Sequence, residues 1–249
     1  MTVTQAMTDR APELLVMGVH QGDGREEIIF DYLQAAGYSP RLGHIEDLAE
    51  KRPLGIVLDI SPHAEDGWGE LLKIKSHPVY RTIPVLPVFL SATGKVGGVF
   101  PVAGFFTTPL DDQHLLDRLA TYGLTQDTDT WDLQALVASR TGEEKLSSAL
   151  ESAGFDVVKG YTGKEALALT SLHPKYLAFS TFMLPDMSAF ELLDKFRLFP
   201  YSHNMPVFVL VKEEMKEGEK QAMSREIAHL VSKRQITKEE FIKYLRNRA

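Results

Sequence analysis

Leu33-Gln-Ala-Ala-Gly37-Tyr38 returns as Leu150-Glu-Ser-Ala-Gly154-Phe155, and this echo decides the fold. Glu70-Leu-Leu followed by Pro78 and Pro84 returns in the same way as Glu191-Leu-Leu followed by Pro200 and Pro206. The offset is about 120 residues, too long for a solenoid repeat and the right length for a duplicated domain. A chain of 249 residues has room for two such domains, predicted at 1–124 and 131–249. Between them Leu124-Thr-Gln-Asp-Thr-Asp-Thr130 is polar and without periodicity. Its shortness predicts domains that touch each other.

Short apolar runs alternate with longer amphipathic ones in each copy. In the first, Leu14-Leu-Val-Met17, Gly55-Ile-Val-Leu58, Val85 to Leu90 and Gly104-Phe-Phe106 read as buried strands, and Arg25 to Ala36, Trp68 to Lys75 and Asp111 to Tyr122 as helices. In the second the strands are Leu133 to Ala138, Val157-Val158, Tyr176 to Phe182, Val207 to Val211 and His229 to Val231. Its helices are Glu143 to Ala153, Lys164 to Leu172, Phe190 to Arg197, Lys212 to Arg225 and Lys238 to Arg248. Alternation of this kind implies α/β architecture: two doubly wound five-stranded parallel sheets in tandem, in the flavodoxin-like strand order 2-1-3-4-5.

One stretch breaks the duplication. Between Ser91 and Thr108 lie Gly94, Gly97, Gly98, Pro101 and Gly104, which oppose helix, since each Gly costs about 1 kcal/mol relative to Ala in a helix interior. The first copy's fourth helix is therefore expected to be missing or shortened to a turn. Val96, Val99, Phe100 and Val102 are expected to be exposed there, as a contact for the second copy or another protein.

Composition narrows the function. The net charge of −7 is a poor footprint for nucleic acid, and the basic run Lys243 to Arg248 suits a helix C-terminus. There is no cysteine, which excludes disulfides, thiolate nucleophiles and thiolate-bound metals. Met1 to Pro12 is polar, unlike a signal peptide, and no apolar run approaches the roughly 20 residues that span a bilayer. A cytoplasmic protein without membrane insertion is expected.

Ile56-Val-Leu-Asp59-Ile-Ser-Pro62 with Asp66-Gly67 resembles the third strand and following loop of a response-regulator receiver (CheY-like) domain. Phe179-Ser-Thr181-Phe-Met-Leu-Pro185-Asp186 stands at the same place in the second copy. Receivers phosphorylate themselves on one aspartate. The resemblance implies an acceptor at the end of strand 3, an acidic pair after strand 1 for Mg²⁺, a Ser or Thr after strand 4 and a Lys after strand 5. Cations are needed because a phosphoryl anion cannot otherwise approach a carboxylate. The first copy keeps Asp59 and a candidate hydroxyl in Ser91, but strand 1 ends in Met17-Gly18-Val19-His20, Asp23 lies too far along, and the lysine position reads Thr108. The second has Thr181 as acceptor, Ser139-Arg140 after strand 1, Val211 at the switch and only Lys233 in place. Asp59, Ser91, Thr108, Thr181 and Lys233 thus form a vestigial phosphoacceptor pocket, and neither copy keeps the full set.

Other signals carry less. Gly18-Val-His-Gln-Gly22-Asp-Gly24 follows a strand and opens a helix, but its spacing fits neither nucleotide-binding glycine motif. Thr141-Gly142-Glu-Glu144 and Thr162-Gly163-Lys-Glu165 read as capping boxes. His20, His63 and Asp59 are a conceivable metal set that no motif supports. The expectation is a non-enzymatic tandem pseudo-receiver without cofactor or metal. No DNA-binding, cyclase or kinase segment follows, so it would act by protein–protein interaction in bacterial two-component or related signalling. The alternatives are a regulator phosphorylated on Asp59 and a small-molecule binder using the Gly22/Gly24 loop. Lys220, Arg225 and Lys243 mark the expected contact face, for signalling proteins and for self-association.

Overall fold

The computed structural model describes residues 11–64, 66–91, 95–100, 102–124, 133–232 and 236–246. In chain order the elements of the first half are β1 (Glu13–Met17), α1 (Gly24–Ala35), β2 (Ser39–Leu42), β3 (Gly55–Asp59), α2 (Gly67–Ser76), β4 (Val85–Leu90), β5 (Val96–Val99), β6 (Gly104–Thr108) and α3 (Asp112–Thr121). The second half continues with β7 (Gln134–Ala138), α4 (Glu144–Ser152), β8 (Asp156–Gly160), α5 (Gly163–Leu172) and β9 (Leu177–Thr181). It closes with α6 (Ala189–Arg197), β10 (Val207–Lys212), α7 (Glu217–Ser232) and α8 (Lys238–Arg246).

Two five-stranded sheets result, ordered β2-β1-β3-β4-β5 and β6-β10-β9-β7-β8. The first follows the expected 2-1-3-4-5 order; the second keeps it for four strands, β8-β7-β9-β10, with β6 in the fifth place, and every pairing is parallel except β4 with β5, which is antiparallel. Alternate residues along the strands feed opposite faces. Leu14, Val16 and Val57 point to the layer of α1 and α8, while Leu15, Ile56 and Leu58 point to the middle of the molecule. In the second sheet Ala135, Val137 and Phe179 face α3 and α4, while Leu136, Ala178 and Val209 face the middle.

The two sheets share elements. β6, expected to complete the first sheet, pairs with β10 in the second, with Phe208 opposite Gly104 and Lys212 opposite Thr108. It takes α3 with it, and Leu115 and Leu119 pack beside Leu146 and Leu150 of α4. In return, Phe241 and Leu245 of α8 pack on the first sheet with Ile29 and Leu33 of α1. Tyr32 and Phe241 meet edge-on at 5.5 Å, and Lys238 pairs with Asp31 at 2.6 Å. Sheet membership therefore does not follow the expected division at residues 124 and 131, and each unit is completed by the other half of the chain.

Three expectations need correction. His229 to Val231 is not a strand but the end of α7, whose Met223, Ile227 and Val231 recur at helical spacing and are all buried. No fourth helix forms in the first copy among the described residues, as expected, but a strand replaces it. Val96, Val99, Phe100 and Val102 are buried there, not exposed. Only Thr162 caps as read, accepting the Glu165 N–H at 3.1 Å. The N-cap of α4 is Glu143 at φ 44°, not Thr141. Strand β2, short and opened by Ser39-Pro40, went unread; its place at the sheet edge tolerates a proline.

The middle layer is one core. Trp68 of α2 meets Phe182 at 5.0 Å and Phe190 of α6 at 6.3 Å, and Phe100 stacks on Phe190 at 4.1 Å. Val231 of α7 lies on the glycines of β5: a Cβ on Gly97 would stand 2.2 Å from Val231 Cγ1. The glycine pair is thus what lets α7 seat on the first sheet. Gly97→Ala is expected to destabilise the protein by about 1–3 kcal/mol through overpacking. In the Val231→Ala background most of that cost should vanish, with a coupling of about 1 kcal/mol or more measured by denaturant titration. Strict additivity would place α7 elsewhere.

Candidate functional site

Asp59 ends β3, the middle strand of its sheet, and is 1% exposed. The backbone behind it is tightly packed. A Cβ on Gly67 would stand 2.1 Å from the Asp59 carbonyl oxygen, and one on Gly18 2.8 Å from it, where φ of +84° also favours glycine. The carboxylate accepts hydrogen bonds from Ser61 N (3.0 Å), Ser61 Oγ (3.0 Å) and Leu90 N (3.2 Å).

Its fourth partner is Arg25, whose Nη1 stands 3.1 Å from Asp59 Oδ2, with the Arg25 side chain 7% exposed. Nε of the same guanidinium reaches Asp23 Oδ2 at 2.7 Å. Asp23 also caps α1 by accepting the Arg25 N–H at 3.0 Å. One internal cation therefore bridges the strand-3 carboxylate and the Asp23 carboxylate at the start of α1. Sequence reasoning missed Arg25. The available signal was a cation in the first turn of a helix, where the macrodipole disfavours it unless a specific anion holds it.

Burial dominates the titration of Asp59 and pushes its carboxyl up to about 6, against the pull of the Ser61 and Leu90 amides, the Ser61 hydroxyl and the Arg25 charge. Asp23 is held below the usual carboxylate range, first by the Arg25 N–H and then by the Arg25 side chain.

The other expected site residues divide between the two sheets. Ser91 follows β4, one residue beyond Leu90, with its N–H on Lys95 O at 2.9 Å; the hydroxyl on Asp59 is that of Ser61. Thr108 is not at the first site at all, because β6 carries it to the second sheet. There it lines a cavity of about 490 Å³ together with Ser139, Arg140, Thr181 and Lys212. The second-copy pocket is thus completed by a first-copy residue. Thr181 Oγ1 donates to Met183 O at 3.4 Å, and Ser139 Oγ donates to Glu143 Oε1 at 3.1 Å. Asp186 binds the N–H groups of Gly163 and Lys164 at 2.7 and 3.0 Å. Although burial raises its carboxyl, those amides outweigh the effect and hold it low. Lys233 lies outside the described residues.

Asp59 and Thr181 therefore occupy equivalent positions, each ending the middle strand of a five-stranded sheet. Both sheets are covered by helices in the doubly wound α/β manner. Among solved structures the chain is similar to a chemotaxis response regulator of Vibrio cholerae, at 20% identity over 47% of this chain and 98% of that one, with a TM-score of 0.32. It is also similar to the receiver domain of a signal-transduction histidine kinase from Syntrophus aciditrophicus, at 22% identity over 40% and 87%, TM-score 0.31. A chain described as a two-component response regulator/GGDEF domain protein matches at 14% identity over 88% and 99%, TM-score 0.28. No family model matches the chain, and no curated protein does.

A receiver's Mg²⁺ needs an acidic pair beside the acceptor, and the residues present do not fit it. Gly18-Val19-His20 follows β1 in one unit and Ser139-Arg140 follows β7 in the other, and neither stretch holds a carboxylate. Asp23 and Asp59 are already joined through a guanidinium. His20, His63 and Asp59 do not converge as a metal set: among the described residues, no three His, Cys, Asp or Glu side chains are grouped to hold a metal. The Gly22 N–H of the glycine loop is taken by Glu26 at 2.6 Å.

Two outcomes follow from the Arg25–Asp59 pair. Arg25→Ala leaves a buried carboxylate uncompensated and is expected to cost about 3–5 kcal/mol at pH 7. In the Asp59→Asn background the same change should cost far less, as measured by denaturant unfolding. The second outcome concerns pH. A carboxyl with a folded pKa above its unfolded value binds protons more tightly in the folded state, so its contribution is present below pH 4 and lost as pH rises through 6. Wild-type stability relative to Asp59→Asn should therefore fall by about 2 kcal/mol between pH 4 and 7. A flat difference would mean that Asp59 is ionised across the whole range.

Proposed function

We propose that this protein is a non-catalytic tandem receiver that serves signal transduction through protein–protein contacts. The observation that carries this reading is the buried Arg25 guanidinium on Asp59 Oδ2 at 3.1 Å. In a phosphorylating receiver the cation at the acceptor is exchangeable and recruits the phosphoryl oxygens. Here it is covalently part of α1, bound also to Asp23, and the acceptor has donors on both oxygens. An incoming phosphoryl group would have to displace an ion pair that burial makes costly to break. The second receiver has no carboxylate to phosphorylate at Thr181.

Signalling without that chemistry is constitutive, or set by partner concentration, because no modification shifts a two-state equilibrium. The contact face needs redrawing from the one expected. Lys220 is used inside the molecule: its Nζ stands 2.9 and 3.0 Å from Asp66 Oδ1 and Oδ2, tying α7 to the cap of α2. Arg225 and Lys243 are exposed on α7 and α8, and the proposed face keeps these two.

Incubation with acetyl phosphate and Mg²⁺, followed by mass spectrometry, is expected to leave Asp59 unmodified. A stoichiometric Mg²⁺-dependent adduct on Asp59 would replace this reading with a phosphorylated regulator. Arg225→Glu with Lys243→Glu is expected to weaken capture of partner proteins while changing stability by less than about 1 kcal/mol, as is usual for exposed charges.

A further inference from the structure

Ligands of doubly wound sheets bind outside the carboxyl ends of the strands. A large cavity of this protein lies at the other end. It measures about 510 Å³ and is lined where β1, β3 and β4 of the first sheet begin and where β6 and β10 of the second begin. It exists because of the exchange of elements. α3 brings Arg118 and Tyr122 from one side, and α8 brings Leu245 from the other.

Its lining has two chemical parts. Leu54, Val57, Leu86, Phe105, Phe208 and Leu245 supply an apolar wall. Arg81 and Arg118 supply two permanent cations and Lys75 a third basic group, and among the described residues no Asp or Glu lines the cavity. These groups are held in place by the fold. Lys75 Nζ donates to Ile83 O at 2.7 Å and Arg81 O at 3.2 Å. Arg118 donates to the Tyr122 hydroxyl at 2.8 Å, and its guanidinium lies 5.0 Å from the centre of that ring. Arg81 Nη1 pairs with Asp111 at 2.8 Å, but its Nε is buried with no hydrogen-bond partner among the described residues. A buried, unsatisfied guanidinium N–H is expensive, and an anion would satisfy it.

The field is positive beyond the lining itself. His114 is pushed down to about 4, by burial first and then by Arg81 and Arg118, which outweigh Asp111. Lys75 is pushed down to about 7 by burial and then by Arg118. Excess positive charge beside a low-dielectric apolar wall selects for a ligand carrying both complements.

We infer that this cleft between the two receivers binds a small amphipathic organic anion, its apolar body against Leu54, Leu86 and Phe208 and its acidic head on Arg81 and Arg118. The volume is that of a ligand of drug-like size. Occupancy would clamp β6–α3 of one unit against the strand starts of the other, so the ligand would act on the relation between the two receivers.

The probe for a test on the full chain is 8-anilinonaphthalene-1-sulfonate, with N-phenyl-1-naphthylamine as the same ring system without the acid. The sulfonate is expected to bind saturably at one site and more tightly than the neutral dye. Arg81→Gln and Arg118→Gln should each weaken the sulfonate about tenfold, the size of one charge-assisted hydrogen bond, and leave the neutral dye within about twofold. Methyl NMR of the wild-type protein locates the site without relying on either variant folding. The sulfonate should shift the methyls of Leu54, Leu86 and Leu245. Equal affinity for the two dyes, absence of saturable binding, or shifts confined to Met183 and Met215 of the second receiver's pocket would each overturn the inference.

Discussion

The pairing of β6 with β10 is the constraint on which the rest of this structure depends. The stretch that should have supplied the second sheet with its own fifth strand is wound into α7. Without β6 the edge of β10 would present a row of unpaired backbone groups. Five residue pairs from Phe208–Gly104 to Lys212–Thr108 close it instead. Once β6 is committed there, the first sheet needs another last strand. The chain provides β5, turned antiparallel on β4 and made of Val96-Gly-Gly-Val99 so that α7 can lie on it. α8 then fills the helical position that α3 vacated.

The same exchange explains why the two candidate pockets differ. The second sheet's pocket is lined by hydroxyls and shared between the copies through Thr108. The first is closed, with the Asp59 carboxylate sealed under Ser61, Leu90 and Arg25. What remains is a scaffold whose two halves are held at a fixed relation by the aromatic contacts of Trp68, Phe100 and Phe190.

Most of the elements were legible in the sequence because their periodicities are strong and recur in order. Two limits of pattern reading account for the misses. His229-Leu-Val231 is too short an apolar run to separate strand from helix, and burial of Met223, Ile227 and Val231 on one face settles it only in three dimensions. The apolar pattern of Gly104 to Phe106 announces a buried strand but cannot name its neighbour, since any parallel edge satisfies the same alternation. That ambiguity put Thr108 at the wrong pocket and left Val96, Val99 and Phe100 exposed on paper when they are core. At the site, Asp59 and Thr181 were readable by position. Arg25 was not, because a helix-opening arginine declares its partner only after folding brings residues 25 and 59 together.

Reciprocal exchange also imposes an order on how the chain can mature as it leaves the ribosome. β6 and α3 are complete by residue 121, yet β10, their partner, does not begin until residue 207. At the usual rate of about 5–20 residues per second, that edge waits several seconds for its neighbour. The first sheet waits longer, since one of the two helices covering its outer face, α8, spans residues 238–246. Neither unit can therefore finish before the other has been made. The two units are born together, so a break in the chain between them would leave two unfinished halves and no independent domain.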